Sequence, residues 1–290
     1  NPDAIAVPLE ELGLEPKLRE RVEKEIKRQN GLILTTGPTG SGKTTTLYAF
    51  LRKVNPEYKV ITIEDPIEYH LATIVQTQVD KKNYTFASGL REALRQDPNV
   101  IMVGEIRDAE VAETAINAAL TGHLVFSTLH TNDAAGSFPR LIDLGVNEKV
   151  MSSAINVAMA QRLLRKLCQH CKVERPANEK EQKCIDAYLA AIVDRSLVPQ
   201  NTHSVWDPNP AGCEQCHGRG YKGRIGVFEA IFMDRVIEEM LRSRPSNREI
   251  ALAARPQGIP TMQEDGVIKI LSGITTFDEL IGTVDIEHME

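Results

Sequence analysis

The sequence predicts an α/β fold, a parallel sheet wound on both faces by helices, and three observations predict it. Four short runs, at residues 32–36, 60–63, 100–103 and 124–126, are apolar throughout rather than alternating, as expected for strands covered on both sides. Helical patterns follow them at 43–54, 86–96, 109–120 and 134–144. Between the first strand and the first of these helices lies Gly37-Pro38-Thr39-Gly40-Ser41-Gly42-Lys43-Thr44, which matches the phosphate-binding pattern G-x-x-x-x-G-K-[ST] in full.

Each element has a local reason. Ahead of the first strand, Leu14, Leu18, Val22 and Ile26 make a narrow apolar stripe at four-residue spacing, an amphipathic helix that Asn30-Gly31 stops. In the glycine-rich loop, backbone N–H groups point at phosphate oxygens and the following helix N-terminus adds partial positive charge. Lys43 supplies a full charge for the β- and γ-phosphates and Thr44 a hydroxyl for Mg²⁺. The expected nucleotide-contacting set is Gly37, Pro38, Thr39, Gly40, Ser41, Gly42, Lys43, Thr44 and Thr45.

Carboxylates end two of the strands: Glu64, Asp65 and Glu68 after 60–63, and Glu105 and Asp108 after 100–103. Ligands of open α/β sheets bind beyond the carboxyl ends of the strands, so these groups are expected to face the nucleotide. One carboxylate is needed in the Mg²⁺ shell and another to polarise an attacking water. Spacing does not say which does which. His123 and His130 flank the run 124–129. An imidazole at that strand's end can sense a γ-phosphate through a hydrogen bond, or simply pack.

After Cys168 the pattern changes. Residues 172–212 are polar and loop-rich with one helix at 181–193, and helical patterns at 247–255 and 262–271 flank Gly258-Ile259-Pro260. The expected division is a phosphate-loop core with its leading helix at 1–167, a cysteine-bearing subdomain at 168–223 and a helical region at 224–290. Cys168, Cys171, Cys213 and Cys216 form a C-x₂-C…C-x₂-C set. Four thiolates suit tetrahedral Zn²⁺ and leave no open position, which makes the site structural. The spacer of about forty residues exceeds the usual ~15–20, so an insert must loop out. Gly212, Gly218, Gly220 and Gly223 suit the turns of such a knuckle; a redox C-x-x-C pair is the rival reading, and Cys184 reads as packing.

Composition narrows the class of function. The chain has 290 residues, is 42% hydrophobic and 26% charged, and carries a net charge of −6, so no basic excess suggests nucleic-acid binding. Aromatics at 5% offer no stacking platform for single strands. The basic runs at 162–172 and 219–224 are therefore read as a protein-docking surface. No apolar run reaches the ~18–20 residues of a membrane span. The opening Asn1-Pro2-Asp3-Ala4 shows no signal peptide and no initiator Met, and further sequence upstream is expected. Five cysteines beside a nucleotide loop fit the reducing cytoplasm.

The order of segments carries a resemblance that covers nearly the whole chain. The phosphate loop is followed by Ile61-Thr62-Ile63-Glu64-Asp65-Pro66-Ile67-Glu68-Tyr69 and by Leu94-Arg95-Gln96-Asp97-Pro98-Asn99. Gly104-Glu105-Ile106-Arg107-Asp108 and the stretch from Thr121-Gly122-His123 to His130-Thr131-Asn132-Asp133 come next. This resembles the secretion-superfamily ATPases of type II secretion and type IV pilus assembly, with their Walker A, Asp box, Walker B and His box segments. Gln161 to Cys168, leading into the cysteines, is similar to the tetracysteine-containing branch. The resemblance implies a RecA-like core followed by a zinc-binding insert. It also implies Glu64 as the group that activates water, Glu105 as the Walker B carboxylate near Mg²⁺, and His130 near the γ-phosphate. The implied cofactors are ATP, Mg²⁺ and Zn²⁺.

As partners it implies a homo-hexamer and an inner-membrane platform protein, with no nucleic acid and no direct membrane insertion. The implied location is cytoplasmic, held peripherally at the inner membrane. A zinc-containing hexameric nucleic-acid motor on the same core is the alternative. The family's small PAS-like module is absent from this sequence, and with it several charge-sensing arginines. Arg140, Arg162 and Arg165 are the candidates within the chain for an arginine acting across a subunit boundary.

Overall fold

The amphipathic stripe of the first helix folds as read. In the computed structural model, which describes residues 7–80 and 82–286, α1 (Pro16–Ile26) buries Leu18, Val22 and Ile26. Its start is set by Pro16 in the first turn and by the Glu15 carboxylate, which accepts from the backbone N–H groups of Lys17 and Leu18. Then come β1 (Gly31–Thr36), α2 (Lys43–Leu51), β2 (Val60–Glu64), β3 (Val75–Gln78), α3 (Phe86–Leu94), β4 (Val100–Val103), α4 (Ala109–Leu120) and β5 (Leu124–Leu129). After these lie α5 (Ser137–Asp143), α6 (Glu148–Ala154) and β6 (Ile155–Leu167).

The cysteine-bearing region supplies β7 (Val173–Pro176), α7 (Glu179–Ala191) and β8 (Ser204–Asp207), and the chain returns as β9 (Tyr221–Phe232). Four helices close it: α8 (Arg235–Leu241), α9 (Asn247–Ala254), α10 (Met262–Leu271) and α11 (Phe277–Ile281). The helix between 134 and 144 starts later than the periodicity suggests, because Thr131–Gly136 is occupied by a hydrogen-bonded loop.

One seven-stranded sheet runs in the order β3-β2-β4-β5-β1-β6-β9, parallel except for the β6–β9 pair. The continuous apolar runs are explained by its two covered faces. Leu32, Leu34, Ile101, Val103 and Val125 point into one apolar cluster, shared with α3, α4 and the C-terminal helices. Ile33, Met102 and Phe126 point into the other, with α1 and α2. Neither face meets water, so neither needs polar alternation.

The sequence reading gave no strand at β3, β6, β7, β8 or β9. Two of these decide the architecture. β9 pairs with β6 along residues 157–167 and completes the main sheet, so it begins in the cysteine-bearing segment and ends among the C-terminal helices. The same pairing places the two basic runs side by side, with Arg165 opposite Arg224. β7 and β8 make a small antiparallel ribbon of their own. Among the described residues no helix is long and apolar enough to cross a membrane.

Candidate functional site

β1 delivers the phosphate loop at its carboxyl end, between its neighbours β5 and β6. Gly37, Gly40 and Gly42 take φ values of 149°, 80° and 91°, the left-handed region that side chains disfavour. A Cβ on Gly37 would sit 2.6 Å from Ser41 Oγ and 2.7 Å from the Gln161 carbonyl, so that position is closed to any side chain. Gly40 faces open space, as close approach of a ligand to the backbone requires. The Lys43 ammonium spans the loop, donating to the carbonyl oxygens of Gly37 at 2.7 Å and Pro38 at 3.1 Å. Burial pushes its pKa down, while Glu105 works the other way and Arg162 adds to the lowering.

The loop leans on a residue that sequence reasoning missed. Gln161 on β6 donates from Nε2 to the Ser41 carbonyl at 2.7 Å and is itself wholly buried. No local pattern marks it, because loop and glutamine lie 120 residues apart. Among the described residues, buried Ser41 Oγ and Thr46 Oγ1 find no hydrogen-bond partner, so the loop and the start of α2 hold polar groups the protein leaves unsatisfied.

Both strand-end carboxylates reach the same cavity of about 1210 Å³ as the loop, with Lys43 and Thr44 on one wall and Glu64, Glu105 and His130 on another. Glu64 is 2% exposed. It accepts hydrogen bonds from the Tyr48 hydroxyl, from Thr62 Oγ1 and, at 3.1 Å, from Gln76 Nε2. Burial and the Glu64 contact push the Tyr48 phenol well above its ordinary range, so it stays a donor. A carboxylate has about four acceptor sites, so three neutral donors orient Glu64 and leave room for one more.

Glu105 stands differently: it pairs with the Arg107 guanidinium and lies 3.4 Å from His130 Nε2. Arg107 also reaches to 3.9 Å from Asp65. It was visible in the sequence, but nothing local revealed it as the cation beside this carboxylate. His123 instead turns back onto its own helix end, 3.1 Å from the Ala118 carbonyl. Lys166, Lys222 and Arg224 also line the cavity, so the basic strand pair borders it. Of the three arginines singled out, Arg165 is engaged within the chain, bonded to Glu279 and lying over the Tyr221 ring. Arg162 donates to the Asn132 carbonyl at 2.9 Å, and Arg140 is exposed.

The four cysteines converge where β6 ends and β9 begins, next to Lys166 and Lys222 of the cavity lining. Their sulfurs lie within 4.8 Å of one another, with Cys168–Cys213 at 3.7 Å and Cys171–Cys216 and Cys213–Cys216 at 3.8 Å. A tetrahedron of Zn–S bonds of about 2.3 Å has edges of about 3.8 Å, so the donor set fits such an ion in number, type and spacing. Gly212, Gly218, Gly220 and Gly223 all have positive φ, as knuckle turns demand, and a Cβ on Gly212 would strike Gly218 at 2.4 Å. Burial pushes Cys216 up, but N–H donors from Cys213 and Gly220 outweigh it and bring its thiol down to about 6. Cys184 packs in the main apolar cluster, where burial pushes its thiol up to about 11.

A phosphate loop, two strand-end carboxylates and a histidine around one cavity on a largely parallel sheet define a nucleotide-site architecture of the P-loop class. The family model described as Type II/IV secretion system protein matches residues 1–282, and the chain belongs to that family. It is similar to Type II secretion system protein E of Pseudomonas aeruginosa, 44% identical over 275 residues, covering 94% of this chain and 52% of the relative. It is also similar to the type IV pilus assembly ATPase PilB of Thermus thermophilus, 43% identical over 94% of this chain and 30% of the relative. A crystal structure of the pilus retraction motor PilT with bound ADP superposes with a TM-score of 0.66 at 30% identity, over 95% of this chain and 66% of that one. The chain spans about half the length of the type II secretion relatives it matches, or less for the pilus ATPase.

Proposed function

We propose that this chain is the ATP-hydrolysing part of a motor that drives assembly of type IV pili or of the type II secretion pseudopilus. The observation that carries the reading is the meeting of Lys43 and Thr44 with Glu64, Glu105 and His130 around one cavity. Residues Gly37 to Thr45 would hold the nucleotide phosphates, with Lys43 as the full charge. Thr44 and Glu105 would hold Mg²⁺, which when bound neutralises charge on the β- and γ-phosphate oxygens. Glu64, oriented by Tyr48, Thr62 and Gln76, accepts a proton from the attacking water, and His130 donates to the γ-phosphate.

Cys168, Cys171, Cys213 and Cys216 would bind one Zn²⁺ as a structural ion, in a division of 1–167, 168–223 and 224–290 that shares strands between its parts. The unit works as a homo-hexamer at the cytoplasmic side of the inner membrane, docked on a platform protein there. A ring supplies the positive charge that hydrolysis needs beyond Lys43, and Arg140 and Arg162 are the candidates that make no ion pair among the described residues. Lys43→Ala tests the nucleotide site: ATP affinity in a binding titration should fall by about two orders of magnitude, the loss of several charge-assisted hydrogen bonds. Wild-type affinity in that variant would remove the loop from the mechanism.

A further inference from the structure

Beyond the cavity, the loop that follows His130 is tied down by side chains from the two antiparallel strands. Arg162 on β6 donates to the Asn132 carbonyl at 2.9 Å. Glu229 on β9 accepts from the Ala134 backbone N–H at 2.8 Å with one carboxylate oxygen. With its other oxygen it accepts from the Met262 N–H at 3.2 Å. Met262 is the first residue of α10, so one half-buried side chain joins the loop beyond the nucleotide cavity to a helix N-terminus of the C-terminal block.

The geometry of the surroundings makes this link more than packing. Between the loop and the C-terminal helices lies a second cavity of about 410 Å³, with Asp133 and Ala135 on one side and Asn247, Ala251 and Thr261 on the other. Glu229 forms part of its wall, so a carboxylate bridges the two parts across this cavity, beside the apolar contacts of Ala134 and Ala135. The loop also carries its own internal bonds. Asp133 Oδ1 accepts from the Gly136 N–H at 2.6 Å, and Thr131 Oγ1 donates to the Asp133 carbonyl at 2.9 Å. The loop is thus held internally, gripped by Arg162 and Glu229, and anchored at Thr131 to β1, where Thr36 Oγ1 accepts from the Thr131 N–H at 2.8 Å. Its first residue, His130, stands 3.4 Å from Glu105 and borders the nucleotide cavity. At the far side, α10 is held by its own capping box, Thr261 with Glu264, and by the bidentate Arg255–Glu264 pair, so a shift of its first residue carries the helix.

We infer that Glu229 is a positioning residue, coupling the His130-bearing loop to α10 so that the nucleotide state of the cavity is passed to the C-terminal helices. It touches neither nucleotide nor reacting atoms, and it rests on the reading of that cavity as the ATP site. Glutamine at 229 keeps the volume and one acceptor but sets an NH₂ against one of the two N–H groups, which breaks the link at one end.

Hydrogen exchange of the intact protein with and without a non-hydrolysable ATP analogue tests the inference. In the wild type, protection should rise at residues 37–45 and change at 130–136 and at 259–266. In Glu229→Gln the responses at 37–45 and 130–136 should remain while the one at 259–266 is lost. The turnover number should drop about tenfold with KM for ATP within twofold, the loss of one charged hydrogen bond. Protection at 37–45 with an unresponsive 259–266 in the wild type would overturn the coupling alone, whether or not the variant folds. An unresponsive 37–45 would overturn the ATP reading and the coupling with it, and a variant whose α10 still responds would also overturn the role of Glu229.

Discussion

The cavity at the strand ends and the four-cysteine cluster share strands β6 and β9, yet they differ in how completely their polar groups are used. Around the cavity, Thr46 Oγ1 has no hydrogen-bond partner among the described residues, Gly40 opens onto space, and Glu64 keeps acceptor capacity beyond its three donors. In the cluster every sulfur faces another sulfur at a metal-ligand spacing, and Cys216 takes further N–H donors from Cys213 and Gly220. Unused hydrogen-bonding capacity held in place by the fold is what a reaction needs, and a saturated donor set is what stability needs. One pair of strands serves both sites, which lie next to each other along it.

The largest expected effect comes from stripping the metal. Structural zinc is worth about 10–16 kcal/mol in isolated finger peptides. Chelation should therefore unfold the turns at 168–171 and 213–220, seen as a rise in their hydrogen exchange. ATP titration of the stripped protein should still give an affinity within a few fold of the loaded one. Equal loss of both would show that the two neighbouring sites form one cooperative unit and that the contrast between them is false.

A smaller change sharpens the cavity side. Gln161→Ala removes the donor to the Ser41 carbonyl and leaves that oxygen unsatisfied against the apolar interior. About 1 kcal/mol of loop order should be lost, a drop of roughly fivefold in ATP affinity with no change in zinc content. An unchanged affinity by calorimetry would mean that the loop holds its shape without β6.

Which parts were legible in the sequence follows the same divide between local and distant. The phosphate loop and its strand and helix were read in full, because glycine conformation, the lysine and the apolar run all lie within about fifteen neighbouring residues. β6 escaped because Ala158, Met159 and Ala160 favour helix and Arg162, Arg165 and Lys166 resemble a solvated face. Only its place between β1 and β9 makes it a strand, and that is a tertiary fact. β9 was hidden by Gly223 and Gly226 and by its charges. The four cysteines were legible as a set through their spacing, and Arg107 stood two residues from Glu105, whereas Gln161 and Glu229 act on residues far along the chain and had no signal that one-dimensional patterns could supply. Glu64 was quoted at its strand end, but the donors that orient it come from Tyr48 and Gln76, 16 and 12 residues away.

The central claim, that the strand-end cavity binds ATP and splits it with Glu64 at the water, is tested most directly by Glu64→Gln. Glutamine keeps the shape but cannot take a proton, and a positioned general base contributes about 10²–10⁴-fold in rate. Phosphate release under saturating Mg-ATP should fall by about that factor while ATP binding, measured in parallel by titration, stays within twofold of the wild type. Phosphate release at the wild-type rate from that variant would contradict the claim.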